Sequence, residues 1–146
     1  MYVFQASIHA LPSKAVSGKV VALGRGKFRT LKVDAASIPS LPVTFEDAAL
    51  ALSAIDRLYF EPDGSFVWVS DNPDQSWQLD GVLYDRAGQL LYAEVQGTCP
   101  ADIFDRLLTA LGWPAIRLMF QLRLEAVFLD EPEFRRYASA RQTHLP

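Results

Sequence analysis

The stretch from residue 57 to residue 97 constrains the fold more than any other part of this chain. Four short runs rich in aromatic and β-branched residues, 58–61, 65–69, 77–84 and 89–96, are joined in pairs by Pro62-Asp63-Gly64 and by Asp85-Arg86-Ala87-Gly88. Proline pre-sets the first turn angle, aspartate bonds nearby backbone, and glycine takes the left-handed position. Each turn ends in glycine before the returning strand, which predicts a type I turn with a glycine bulge in both hairpins. Consecutive hairpins require antiparallel pairing. In Phe66-Val67-Trp68-Val69 both alternating sides are apolar. Such a strand needs cover on both sides. Helices supply one cover. The other must come from a curled sheet, the N-terminal strands, a second copy or a hydrophobic ligand.

The flanking segments complete an α+β pattern. Tyr2, Phe4, Ala6 and Ile8 alternate with Val3, Gln5, Ser7 and His9, the period of a half-buried strand over 2–10. Further strands are predicted at 19–23 and 27–33, around the turn Gly24-Arg25-Gly26. Thr44 is placed to cap a helix whose buried face carries Phe45, Ala48, Ala49, Leu52 and Ile55. A second helix spans 100–111, with Thr98 or Cys99 as its cap, Pro100 in its first turn and Gly112 at its left-handed end. Residues 116–129 alternate strictly and read as one strand, against the helical propensity of their Leu, Met, Gln, Arg and Glu. Asp130 then caps a last short helix, with Glu133 spaced to complete a capping box. The expected architecture is a two-layer α+β sandwich: a mainly antiparallel sheet, two amphipathic helices packed on one face, and a short C-terminal helix. The helix at 100–111 offers a right-handed crossover if the last strand pairs in parallel with 89–96.

A chain of 146 residues, half of them apolar, forms a single domain with a sizeable core. Its expected parts are a basic β-ribbon segment at 1–33, a helix–sheet core at 34–141 and a frayed tail at 142–146. One cysteine excludes an intrachain disulfide framework. No apolar run reaches the roughly 18 residues of a membrane span, and no signal-peptide pattern opens the chain. The expected setting is soluble and cytoplasmic, away from membranes. The net charge of −3 hides a segregation. Residues 1–33 hold Lys14, Lys19, Arg25, Lys27, Arg29 and Lys32 and no acid, whereas 34–146 hold eight arginines and seventeen acids. Such a basic segment suits phosphate or an acidic partner, or else an edge ribbon whose lysines prevent strand-to-strand aggregation.

No residue pattern points to one chemistry. Cys99 at a helix N-terminus could act as a lowered-pKa nucleophile, but neither His9 nor His144 is near it in sequence to serve as base, and free cysteines are usually buried. Asp80 and Glu94 lie mid-strand in one hairpin, where they would approach across adjacent strands as an acid–base pair or sit on a solvated face. The other carboxylates fall in turns or first helical turns, where aspartate has backbone reasons to be. Metal-ligand spacings are missing, and no cofactor is expected. Gly24-Arg25-Gly26-Lys27 lacks the following Ser or Thr and the helix of a phosphate loop. The leading expectation is therefore a non-catalytic binding or self-association module, a homodimer or a protein binder acting through the aromatic sheet of Trp68, Trp77, Tyr84 and Tyr92. One alternative is nucleic-acid or phosphate binding by Arg25, Lys27, Arg29 and Lys32. Another is a small enzyme using Asp80 or Glu94 with Cys99 or His9.

Overall fold

The computed structural model describes residues 1–140. Nine strands form one antiparallel sheet: β1 (Tyr2–Ala10), β2 (Val16–Leu23), β3 (Gly26–Lys32), β4 (Leu58–Phe60), β5 (Ser65–Val69), β6 (Gln78–Arg86), β7 (Gln89–Cys99), β8 (Leu118–Leu122) and β9 (Val127–Asp130). Three helices, α1 (Phe45–Ser53), α2 (Ala101–Ala110) and α3 (Glu131–Ser139), complete the two-layer α+β sandwich. The strand order is β2-β3-β9-β8-β1-β7-β6-β5-β4. Sequence neighbours pair as β2–β3, β8–β9 and β4–β5–β6–β7, and β3 meets β9 across a long stretch of chain. The centre of the sheet is assembled from distant parts of the chain, with β1 inserted between β7 and β8. β8 therefore runs parallel to β7 but one strand away, so the crossover through α2 passes over β1 and makes no direct parallel pair.

Alternation decides what each face does. Phe4, Ala6 and Ile8 of β1, Leu79 and Leu83 of β6, Ala93 and Val95 of β7, and Phe120 of β8 point to the helices and are buried. Phe134 of α3 stacks on Phe120 at 4.3 Å and packs edge-on against Phe4, while Phe104 of α2 touches both Phe4 and Phe120. The Phe66 ring fits on this side because a glycine lies under it. A Cβ on Gly81 would sit 2.1 Å from the Phe66 ring, so only glycine leaves room for that side chain.

Most local signals work as read. The Thr44 hydroxyl accepts from the Asp47 N–H at 3.0 Å, the Asp130 carboxylate accepts from the Glu133 N–H at 2.9 Å, and Gly64 and Gly112 take left-handed φ. Four details differ. The 116–129 segment is a hairpin, β8 and β9, turning at 123–126 with Ala126 at φ 57°. The β6–β7 turn is a tight two-residue loop in which Ala87 and Gly88 both have positive φ, as in a type I′ turn, and the bulge sits at Tyr84–Asp85. Pro100 occupies the α2 cap position without any side-chain bond, because Cys99 still belongs to β7. Glu133 closes no capping box: its carboxylate accepts from the Arg29 N–H at 2.8 Å and pairs with Arg136, which ties α3 to β3. The 142–146 tail expected to fray, with His144, lies outside the described residues.

Candidate functional site

The helices leave the opposite face of the sheet uncovered along β5, β6 and β7. Residues facing that way alternate with the core residues just named: Val67, Gln78, Asp80, Val82, Tyr84, Tyr92, Glu94 and Gln96. An open groove of about 500 Å³ crosses this face between the β8–β9 turn, the β2–β3 turn and the strands below, lined by Val3, Gln5, Arg25, Asp80, Gln96 and Leu124 among others. A second hollow of about 420 Å³ shares Gln5, Asp80 and Gln96 with it and continues to Val67 and Glu94. Leu124, at the tip of the β8–β9 turn, is 89% exposed at the groove's wall.

One polar network borders the groove. Arg123 donates to the buried Ser7 hydroxyl at 2.8 Å, pairs with Glu94 at 2.9 Å and reaches the Tyr92 hydroxyl at 3.4 Å. The Tyr84 hydroxyl donates to the other oxygen of Glu94 at 3.0 Å, and this carboxylate raises the Tyr84 pKa. Tyr84, Tyr92 and His9 form a stack across three strands, with ring centroids 4.8 and 5.0 Å apart. Phe128 meets His9 edge-on at 6.2 Å. His9 is only 7% exposed and its Nε2 has no hydrogen-bond partner. Burial first, and the Arg123 charge second, lower its pKa to about 4, so the ring is neutral near pH 7.

The residues singled out in the sequence separate into three places. Tyr84, Tyr92, Glu94, Asp80 and His9 share the uncovered face. Asp80 pairs across the strands with Gln96 and Glu94 with Val82, which makes the two carboxylates diagonal neighbours. Glu94 is spoken for by Arg123 and Tyr84, and Asp80 accepts from the Gln78 amide at 2.9 Å. Trp68 and Trp77 point to the helix side, 2% and 9% exposed and edge-on to each other at 5.6 Å, so they offer a partner no surface. Cys99 also lies on the helix side, fully buried, and burial pushes its thiol up to about 12. It does not meet Asp80, Glu94 or His9, and no nucleophile–base pair is assembled among the described residues. The flank expected to be greasy throughout is mixed: Val67 and Tyr59 are 37% and 60% exposed, but amides and carboxylates separate them from Val3 and Leu124.

The basic residues lie at one edge. Arg25 donates to the carbonyls of Val3 and Tyr137 and lies 4.4 Å over the Tyr137 ring, which pins the β2–β3 turn to β1 and α3. The Arg29 guanidinium donates to the Gly18 carbonyl at 3.0 Å. Lys27 and Lys32 are exposed. Arg123 and its partner Ser7 escaped the sequence reading, because only the non-sequential order β8-β1-β7 brings them together. Among the described residues no His, Cys, Asp or Glu group could hold a metal ion, and no helix is long and apolar enough to cross a membrane. No protein-family model matches the sequence, and no curated protein or solved structure matches it either.

Proposed function

We propose that the chain is a non-catalytic binding module that takes a polypeptide segment in the groove on the uncovered face of its sheet. The observation that carries this reading is the amphiphilic floor and wall of that groove. Apolar Val3, Val67 and Leu124 alternate with the amides of Gln5 and Gln96 and the Asp80 carboxylate. Side chains that anchor and amides that answer backbone groups are what a peptide surface requires. Binding rather than catalysis is favoured because the titratable groups Glu94, Tyr84, Tyr92 and Arg123 beside the groove are already paired with one another, and the only thiol lies on the other face. The network of Arg123, Glu94, Tyr84 and Tyr92 then serves to hold the groove's border rigid.

Selection of peptides from a randomised display library tests the reading. Peptides enriched on the wild type should lose binding to Val3→Asp and to Gln96→Arg, and keep binding to Leu50→Asp, a change at an exposed α1 position on the helix side. A library that yields nothing above background, or peptides indifferent to the groove substitutions, would remove it.

A further inference from the structure

We propose that copies of this chain associate head to tail, the β2–β3 end of one against the β4 end of the next. This goes beyond the groove: of the charges it rests on, only Asp80 lines the groove. The sheet is charged like a dipole. Its β2–β3 end carries Lys14, Lys19, Lys27, Arg29 and Lys32, all exposed. At the other end, the segment 45–86, which forms α1, β4, β5 and β6, carries nine carboxylates against Arg57 and Arg86, a net of −7. Eight of those nine carboxylates are exposed.

The two ends differ from the middle in how their charges are used. Of the four ion pairs among the described residues, Glu94–Arg123, Asp105–Arg135 and Glu131–Arg135 lie between them, and Glu133–Arg136 borders β3, where the Glu133 carboxylate accepts from the Arg29 N–H. None of the cations at the β2–β3 end and none of the acids in 45–86 takes part in an ion pair. Each end therefore presents charge that a second copy can answer. Each also holds apolar anchors beside that charge: Val16 and Val20 on β2, Tyr59 on β4.

The edges also set the mode of contact. β2 is bulged between Ser17 and Val20, around Lys19, and β4 is three residues long. Both devices blunt strand addition. Side chains, not backbone ladders, make the contact. Like ends repel, so a two-fold dimer through either end is disfavoured and opposite ends are favoured. A contact between different surfaces repeats without closing unless its rotation forms a ring. Exposed charges attract weakly and are screened by salt, so the association is weak and salt-sensitive.

Sedimentation velocity of the full chain over a range of concentrations tests this, at about 20 mM and about 500 mM salt, where the Debye length falls from roughly 20 Å to roughly 4 Å. The expected result is a sedimentation coefficient that climbs with concentration past two copies at low salt and returns to one copy at high salt. Lys19→Glu with Lys27→Glu cuts the charge of the five cations at the β2–β3 end from +5 to +1; Asp56→Lys with Glu61→Lys cuts that of segment 45–86 from −7 to −3. Each double variant alone should associate at least about tenfold more weakly, and an equimolar mixture should associate again. Unchanged melting temperatures guard against unfolding. A single copy at every concentration in low salt would overturn the proposal. So would a plateau at two copies that salt does not move, or reversed charges without effect.

Discussion

Along β6 and β7, Leu79, Leu83, Ala93 and Val95 point into the helices, while their neighbours Asp80, Tyr84, Tyr92 and Glu94 point away from them. On the helix side, rings meet rings in close packing, with Arg135 and Arg106 laid over the outer faces of Phe104 and Trp68. On the other side, Tyr84, Tyr92 and Glu94 have polar or ring partners, Val3, Val67 and Leu124 stay exposed, and a groove remains open. The difference teaches where stability and recognition are lodged in this molecule. Removing helix-side atoms leaves a hole in close packing, whereas removing atoms from the uncovered side mostly gives surface back to water. Substitutions on the two faces should therefore differ in size, not only in place.

The largest expected contrast is between Phe120→Ala and Val67→Ala. Phe120 is fully buried against Phe134 and Phe104, so its truncation should cost about 3–5 kcal/mol. Val67 faces away from the helices, and its truncation should cost no more than about 0.5 kcal/mol. Urea unfolding of both variants measures the difference, and equal losses would break the division between the faces.

His9 is the exception on the uncovered side, and it makes that side sensitive to pH. Its pKa is about 4 when folded, against 6.5 for the free side chain. Between these values the unfolded chain binds a proton that the folded one refuses. The stabilisation it confers is complete above pH 6.5, shrinks as the pH falls, and is gone below pH 4, a span of about 3 kcal/mol. Unfolding measured from pH 7.5 to pH 4 should show this loss, and His9→Phe should flatten the curve. A His9→Phe variant with the wild-type slope would show that other groups carry the acid sensitivity.

A smaller effect is expected where one glycine serves a neighbouring strand. Gly81→Ala pushes a methyl into the Phe66 ring and should cost about 1–3 kcal/mol. Gly88→Ala has nothing within 4 Å of the new methyl, so it carries only the strain of its positive φ. Thermal unfolding separates steric from conformational cost, and a milder loss at Gly81 than at Gly88 would contradict the packing described.

How legible these features were follows from their range. The hairpin at 58–69, the Thr44 and Asp130 caps and the Gly112 end depend on residues within a few positions of each other, and they read correctly. The β8–β9 turn did not. Its alternation runs unbroken from Leu122 through Leu124 to Ala126, and no glycine or asparagine marks Ala126, which alone adopts positive φ there. The side chain that sustains the apparent period, Leu124, is solvent-exposed at the tip. Missing that turn also hid Arg123, the hub of the polar network, since its partners Ser7 and Glu94 lie 116 and 29 positions away in the chain. Tyr84 and Tyr92 were legible as aromatic strand residues, but so were Trp68 and Trp77. Which aromatics face the helices depends on the register that the tight β6–β7 turn and its bulge impose.

The finest test of the uncovered face is spectroscopic. Tyr84 donates its hydroxyl proton to a carboxylate that is also held by Arg123. Ionising the phenol would place two negative oxygens together, which is why the hydrogen bond and the charge of Glu94 both raise its pKa. Glu94→Gln keeps the size of the side chain and removes the charge. The Tyr84 titration, followed by its ultraviolet absorbance against a Tyr84→Phe control, should then move down toward the ordinary tyrosine value. The cost in stability should stay near 1 kcal/mol or less, because the Glu94–Arg123 pair is partly exposed. Arg123→Ala should move the same titration upward, since it removes the one positive charge that lowers it. Opposite shifts from the two substitutions would place Tyr84, Glu94 and Arg123 in one electrostatic unit. Shifts of the same sign would mean that the three groups respond to general loosening of the sheet, and the distinction between a packed face and an organised open one would no longer hold.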